Sequence, residues 1–250
     1  MRALATLTRV EVSLLLREPA AVLFTLGLPL VLLALNGADG NAPPAARGGQ
    51  VGGAGVVDAL VPGLLVYVLA TLAVMTLPET LADYRDRGIL RRYRVTPLRP
   101  WQIVGSHACT QLALGTTGAV LLLAVAAVGF DLSSPAGWPA LAVAYAASAA
   151  CLLSLGFLLG AVLPTVRTTQ AVAAGVYFPA IFLSGAVWPA EMLPDLAQDV
   201  GRALPLTYAV DALRGAWSEG SVDLVAVGVL AATTAAATAM ALRLFRWEPR

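Results

Sequence analysis

The sequence predicts an all-α protein that crosses a membrane several times, and three observations support this fold class. Hydrophobic residues make up 58% and charged residues 12% of the 250 residues, whereas a soluble domain has about 45–50% apolar and about 25% charged residues. The apolar residues form runs long enough to cross a hydrocarbon core of ~30 Å as helices, which takes about 20 residues each. The charges collect between these runs, most densely in Asp83–Pro100, DYRDRGILRRYRVTPLRP.

Six membrane spans are predicted from these runs. The first is short and is interrupted by Gly27 and Pro29. The third is long enough to tilt or to extend past the membrane. In the fourth, Gly156 and Gly160 are spaced as GxxxG, which predicts close helix packing rather than a binding site. The six spans are 20–35, 59–77, 101–130, 138–163, 170–187 and 224–242.

The segment before the first span, residues 1–18, has leucines at helical spacing with Arg2, Arg9 and Arg17 among them. This pattern predicts an amphipathic helix that lies in the membrane interface. A cleaved signal peptide is the alternative. The charged region is long for a signal peptide and the rest of the chain is polytopic, which favours an uncleaved first span.

The distribution of arginine predicts the orientation. With the amino terminus inside, the inner segments hold 13 arginines and the outer segments hold 3. Cytoplasmic loops carry the excess of positive charge in membrane proteins. We therefore expect six spans with both termini in the cytoplasm.

The arginine-rich stretch is then the first cytoplasmic loop, and its spacing predicts a short helix over 83–97. Arg87, Arg91 and Arg94 recur at i, i+4 and i+7, and Leu90 and Tyr93 supply an apolar side. Pro97 ends the helix because it lacks an amide hydrogen and forces Thr96 out of helical geometry. A loop that only sets topology is one interpretation, and a docking helix for a cytoplasmic partner is the other.

The sequence lacks the residues that usually mark ion coupling, metal binding, catalysis or phosphate binding. No Asp, Glu or Arg lies mid-span, so the commonest sign of ion-coupled transport is missing. The single histidine, His107, cannot form a His-rich metal site, and no paired-carboxylate enzyme site or GxxxxGK[ST] phosphate loop occurs. The basic loop does not look like a nucleic-acid patch. We expect no cofactor on this chain and a separate chain that supplies energy.

Three stretches carry a resemblance to a known family: LVPGLLVYVLATLAVM at Leu60–Met75, YRDRGILRRYRVTPLRP at Tyr84–Pro100, and the proline-spaced run of Phe182–Gly215. Together with the six-span layout, they make the chain resemble the permease subunits of type-2 ABC exporters. This class includes daunorubicin-resistance-type drug permeases, nodulation-factor permeases and polysaccharide-export permeases.

The resemblance implies a transporter of two permeases, expected to be a homodimer, and two cytoplasmic ABC ATPase subunits that hold ATP and Mg²⁺. It implies residence in the bacterial inner membrane, in contact with lipid. Residues 1–18 would be a connecting helix along the inner interface, and 83–97 would be the coupling helix seated in the ATPase. Its coupling residues would be Tyr84, Arg85, Arg87, Gly88, Leu90, Arg91, Arg92, Tyr93, Thr96 and Pro97.

The resemblance also implies two short re-entrant helices over 189–214 that close the outer side. Independently, Leu196 and Val200 repeat at helical spacing, while Asp211 and Arg214 at i, i+3 can pair. An ordinary amphipathic loop is the alternative. The residues of this external gate would be Leu183, Pro189, Pro194, Pro205, Tyr208, Asp211 and Arg214.

The second and fifth spans would line the transport path. Aromatic side chains and Met suit apolar substrates of varied shape, which favours a drug, antibiotic or lipid-like molecule. Packing or lipid contact is the alternative role for each residue. A polysaccharide or lipid-linked glycan is the second substrate class, and an ion-coupled transporter or membrane scaffold acting without an ATPase is the different-class alternative. The path residues would be Tyr67, Met75, Tyr177, Phe178 and Phe182.

Overall fold

The structure is a computed structural model that describes residues 23–37, 55–88, 100–130, 132–188 and 193–244. Within these ranges the regular elements are α-helices and two π-helical segments, Leu23–Gly27 and Thr71–Thr76, with no strand. The all-α prediction is therefore confirmed for the described part. The α-helices are α1 (Leu28–Gly37), α2 (Val56–Ala70), α3 (Leu77–Asp86), α4 (Pro100–Gly129), α5 (Trp138–Val162), α6 (Val166–Leu183), α7 (Asp195–Arg202), α8 (Pro205–Ser218) and α9 (Leu224–Leu244).

Four described helical stretches are long and apolar enough to cross a membrane: Val57–Asp86, Gly105–Gly129, Trp138–Val162 and Leu224–Leu244. They correspond to the second, third, fourth and sixth predicted spans. The first predicted span is represented by a shorter apolar helix, Thr25–Leu35. The fifth corresponds to α6, whose first turns carry Arg167 and Gln170. Six spans therefore stay a prediction.

The second span is longer than the predicted 59–77. It runs as α2, the π segment and α3 without a break from Val56 to Asp86. The predicted span ends at 77 because hydropathy falls at Pro78 and Glu79. Pro78 lacks an amide hydrogen and follows directly after the π segment, where the backbone hydrogen bonding already departs from the α-helical pattern. The polar side chains beyond it find partners on other helices.

This long helix lies inside the protein. Its most apolar window is 83% buried, against 22% for α9 and 28% for α4. α5 packs beside it and contacts α3, the π segment, α8 and α9. A side chain on the second span therefore meets other helices, whereas much of α4 and α9 remains available to lipid.

Gly156 allows the closest of these contacts. A Cβ atom at this position would overlap the carbonyl oxygen of Ala73 in the π segment. A Cβ at Gly160 would lie 2.8 Å from a methyl carbon of Leu81. The two glycines thus allow α5 to approach the second span, as predicted from their GxxxG spacing.

Hydroxyl side chains within the apolar helices bond to their own backbone. Thr110, Thr116 and Ser148 each donate to the carbonyl four residues earlier, at 2.9, 2.7 and 2.8 Å. Such bonds satisfy a hydroxyl where water is absent. These residues are compatible with apolar surroundings and do not by themselves mark a site.

The fifth helix differs from its predicted bounds of 170–187. It begins at Val166 because the Thr165 hydroxyl accepts a hydrogen bond from the amide of Thr168 at 3.3 Å and so caps the first turn. It ends at Leu183 because Gly185 adopts φ 78°, a conformation that favours glycine. Both boundaries therefore lie four residues earlier than predicted.

The helix predicted over 83–97 is also corrected. Asp83–Asp86 are the last residues of α3 and continue the second span. Gly88 then adopts φ 66° and ends the helix in a turn. The helix that carries Asp83–Asp86 therefore ends before Arg91 and Arg94 are reached. Residues 89–99 lie outside the described residues.

Candidate functional site

The end of the second span that leads into the arginine-rich loop forms the first part of the candidate site. Arg85 is 5% exposed, and its guanidinium donates to the carbonyl oxygens of Gly160 at 2.6 Å and Leu163 at 2.7 Å. These are carbonyls at the carboxyl end of α5, which no later turn of that helix satisfies. A cation is also favoured there by the helix dipole.

Asp86 makes the matching contact with the next helix. Its carboxylate accepts a hydrogen bond from the amide of Val166 at 3.2 Å, the first residue of α6. Glu79 and Gln170 form a further hydrogen bond between α3 and α6. The end of α3 is thus bonded to both sides of the α5–α6 connection.

Arg85 was predicted to be a coupling residue that touches a partner, and this role stays a prediction. Its guanidinium is buried against α5 and is not presented at the surface. Arg87, by contrast, has a side chain that is 70% exposed and forms an ion pair with Asp83 at 2.8 Å. Tyr84 packs edge-on against His107 with ring centroids 5.1 Å apart. Of the predicted coupling residues in the described part, Arg87 and Gly88 lie at the end of the helix.

The other predicted coupling residues lie outside the described residues. They are Leu90, Arg91, Arg92, Tyr93, Thr96 and Pro97.

A buried aromatic cluster joins the second and fifth spans and forms the second part of the site. Tyr67 and Tyr177 are 5% and 3% exposed, and their rings meet edge-on with centroids 6.1 Å apart. The Thr71 hydroxyl donates to the carbonyl of Tyr67 at 2.8 Å and lies 2.7 Å from the Tyr177 hydroxyl. Because a hydroxyl has one hydrogen, Tyr177 is the donor to Thr71.

The cluster lies where α2 passes into the π segment. The amide of Leu77 bonds there to the carbonyl of Leu72, five residues back. π-helical turns within α-helices often occur at functional sites. The arrangement places a directional hydrogen bond between two spans at an irregular point of the backbone.

The five predicted path residues separate into two environments. Tyr67 and Tyr177 pack together inside the chain, with Met75 partly buried against the same core. Phe178 and Phe182 are 51% and 47% exposed on the outer face of α6. Tyr177 and Phe178 connect the two groups, since their ring centroids are 5.3 Å apart.

Two short helices lie in or begin in the segment 189–214, for which two were predicted. Their position on the outer side stays a prediction. Pro194 precedes α7 and Pro205 begins α8, but α8 continues to Ser218, four residues beyond the predicted end. Its buried side includes Leu206, Leu213 and Trp217. A helix with such a buried side is more than an ordinary surface loop.

Hydrogen bonds connect α8 to the turn after α6 and to α7. Arg214 donates to the carbonyl of Gly185 at 2.7 Å, and Thr207 donates to the carbonyl of Gly201 at 2.6 Å. Leu196 is 78% exposed, so the predicted apolar side of α7 faces away from the core. Leu183 ends α6, Tyr208 and Asp211 lie on α8, and Pro189 lies outside the described residues.

Comparisons with known proteins agree with this arrangement. The family model for the ABC-2 type transporter matches residues 2–217. The chain belongs to the ABC-2 type transporter family. The match includes the arginine-rich loop, the tyrosine cluster and both outer helices, and α9 lies beyond it.

Curated relatives of the ABC-2 chain include both bacterial and eukaryotic proteins. "Probable multidrug ABC transporter permease YbhR" of Escherichia coli strain K12 is 31% identical over 196 residues, covering 75% of this chain and 52% of that protein. "Nodulation protein J" of Rhizobium leguminosarum bv. trifolii is 29% identical over 203 residues, covering 80% and 71%. "ABC transporter G family member 20" of Dictyostelium discoideum is 26% identical over 164 residues, covering 66% and 22%. The alignment thus spans about half of YbhR.

Sequence reasoning about this ABC-2 chain missed Thr71, Asp86, Glu79 and Gln170. Thr71 follows Tyr67 by four residues, so helical spacing alone places them on one face and could have indicated it. The partners of Asp86 and Glu79 lie 80 and 91 residues away along the chain. No local pattern signals contacts of that separation.

Proposed function

We propose that this chain is the permease subunit of an ATP-driven exporter and that a separate cytoplasmic ATPase binds its arginine-rich loop. The observation that carries the proposal is the continuous, buried second span. It joins the loop at Asp86 to the tyrosine cluster at Tyr67 and Thr71 through one helical rod. Movement of the loop would therefore reach the proposed path directly.

Membership of the ABC-2 type transporter family supports this proposal, as does the permease named among the relatives. The active assembly would contain two permeases and two ATPases, with ATP and Mg²⁺ bound by the ATPases. Contact with the ATPase would involve Arg87, Gly88 and the following residues of the loop. The permease itself would perform no catalysis.

We further propose that the exported substrate is a hydrophobic or amphipathic small molecule. The exposed aromatic face of α6 supports this, because Phe178 and Phe182 lie beside the tyrosine cluster and offer rings for apolar contact. In a homodimer, this face of each copy would meet the central path. The word "multidrug" in the name of YbhR describes that relative and is consistent with the same substrate class.

The arginine distribution supports insertion in a bacterial inner membrane with both termini in the cytoplasm. Asp58, at the opposite end of the second span from Arg85, would then lie on the outer side. It accepts hydrogen bonds from the amides of Ser133 at 2.9 Å and Gly55 at 3.2 Å. These bonds fix the outer end of the same rod.

Transport by purified protein in lipid vesicles tests the proposal. The permease and a candidate ABC ATPase subunit from the same organism would be co-expressed, purified together and reconstituted. Substrate movement should require ATP and should stop when the ATPase carries an inactivating substitution. Transport by the permease alone under a proton or sodium gradient would contradict the proposal.

A substrate panel distinguishes the remaining classes. We expect apolar and amphipathic drugs to be transported and to stimulate ATP hydrolysis. Stimulation by lipid-linked oligosaccharides alone would instead assign the chain to glycan export, for which aromatic rings could stack on sugars.

A further inference from the structure

The contacts at the end of α3 use the open ends of two other helices. Arg85 bonds to carbonyls of Gly160 and Leu163 at the end of α5, and Asp86 bonds to the first amide of α6 at Val166. Gly160 and Val166 lie on either side of the short connection between the fourth and fifth spans, and Leu163 begins it. We call Arg85 and Asp86 the α3 clamp.

The α3 clamp is directional in a way that apolar packing is not. The guanidinium holds its N–H donors in a fixed plane, and its two terminal nitrogens donate to different carbonyls, those of Gly160 and Leu163. A charged group that is 5% exposed is costly to bury and is stabilised only while such bonds are kept. Rotation or sliding of α3 alone would break them, so α3 and the α5–α6 connection should move together.

The position of the clamp connects the loop to the fifth span. Asp86 is followed by the turn at Arg87 and Gly88, where the arginine-rich loop begins. On the other side, Val166 begins α6, and Tyr177 lies eleven residues further along it, about 16 Å at 1.5 Å per residue. The Glu79–Gln170 hydrogen bond joins α3 and α6 a second time.

We infer that Arg85 and Asp86 are positioning residues that transmit movement of the arginine-rich loop to the fifth span. This inference rests on the proposed function, since it concerns how an ATPase at the loop would move the transport path. The loop then acts on the tyrosine cluster from two sides: through the second span to Tyr67 and Thr71, and through the clamp to Tyr177. The hydrogen bond between Thr71 and Tyr177 is where the two routes meet.

The test uses the complete transporter with its ATPase in lipid vesicles. The variants are Arg85→Gln, Arg85→Lys and Asp86→Asn. The controls, Arg243→Gln and Glu219→Gln, remove the same kinds of charge at exposed positions outside the α3 clamp and outside the predicted external gate. We expect the clamp variants to assemble and hydrolyse ATP, but Arg85→Gln and Asp86→Asn should move about tenfold less substrate per ATP, a usual size for coupling between sites. Arg85→Lys should restore part of the ratio.

A second readout follows the fifth span itself. A fluorescent label would be attached at Gly175→Cys, an exposed position of α6 where an added Cβ meets nothing within 4 Å. Cys109 and Cys151 would first be replaced by Ala. We expect ATP to shift the label signal in the parent protein and in the controls, and to leave it unchanged in Arg85→Gln.

The outcomes separate the inference from the proposed function. Parent protein without ATP-driven transport would overturn both. Coupled parent protein with normal transport per ATP and normal label movement in Arg85→Gln and Asp86→Asn would overturn the clamp alone. Failure of all three clamp variants to insert and assemble would make the clamp a folding element and would also contradict the inference.

Discussion

Arg85 and Arg87 lie two positions apart and have opposite environments. The Arg85 side chain bonds to the end of α5, whereas Arg87 is exposed and pairs with Asp83. In the sequence both are arginines of one basic loop, and nothing local distinguishes them. The difference arises because α3 continues to Asp86, which turns Arg85 toward a helix that is 75 residues away along the chain.

Gly156 shows the opposite case, a residue whose role could be read from the sequence. Its spacing with Gly160 predicted helix packing, and the structure brings its α-carbon against Ala73. Small residues at interfaces let helices approach closely in a membrane, and that tendency needs no knowledge of the partner. The identity of the partner, a π-helical segment, was not predictable from spacing.

Gly156→Ala should destabilise the purified permease by about 1–3 kcal/mol, because the added methyl group overlaps a backbone oxygen and a helix must shift. The matched control is Gly228→Ala in α9, where an added Cβ meets nothing within 4 Å. Thermal unfolding in detergent would compare the two. A Gly156→Ala protein as stable as the control would contradict the close approach of α5 to Ala73.

The helices show how far hydropathy predicts element bounds. The helices α4, α5 and α9 begin and end within two residues of the third, fourth and sixth predicted spans. Charged residues, turns or prolines limit each of these helices on both sides. The second span extends nine residues past its predicted end. A prediction from hydropathy ends a span where polar residues begin. In the structure the helix continues past that point, because Glu79, Arg85 and Asp86 bond to α5 and α6. Tertiary contacts decided that boundary.

The single helix predicted over 83–97 is interrupted at Gly88. The i, i+4, i+7 spacing of Arg87, Arg91 and Arg94 favours one amphipathic helix, but Gly88 lies between the first two and takes a left-handed conformation. A glycine in this conformation ends a helix whatever the spacing of the charged residues around it.

Replacing Arg91 and Arg92 together by Glu should lower ATP-driven transport by about tenfold or more, because reversed charges oppose binding of the ATPase. Membrane insertion should be unchanged. Transport, ATPase co-purification and membrane content would be measured on the same preparations. The control is Arg243→Glu in the last turn of α9. It also reverses a charge on the predicted inner side, but in a different segment of the chain from the loop. Normal export by the loop variant would contradict the coupling role.

At the scale of the whole molecule, the bundle is arranged around the second span. That span is bonded at one end through Asp58 and at the other through Arg85 and Asp86, with the tyrosine cluster between them. The all-α class and the approximate positions of the long apolar helices were predictable from the apolar runs. The pairing of helices was not, because each apolar helix is chemically similar to the others and the deciding contacts are single polar groups.

The orientation predicts which connections face outward. Ser134→Cys and Ser221→Cys, both at exposed positions, should react with an impermeant maleimide in intact cells. Pro164→Cys, also exposed, should react only after the membrane is opened. The background would carry Ala at Cys109 and Cys151. Labelling of Pro164→Cys in intact cells would contradict a six-span arrangement with both termini inside.

Site-specific photo-crosslinking tests directly whether the ATPase binds the arginine-rich loop. A photoreactive phenylalanine analogue would replace Tyr93 in the complete, transport-active assembly, with the same analogue at Trp138 on the predicted outer side as control. We expect a covalent adduct between permease and ATPase from position 93 and none from position 138. An active transporter that gives no ATPase adduct from position 93 would contradict binding of the ATPase to the loop.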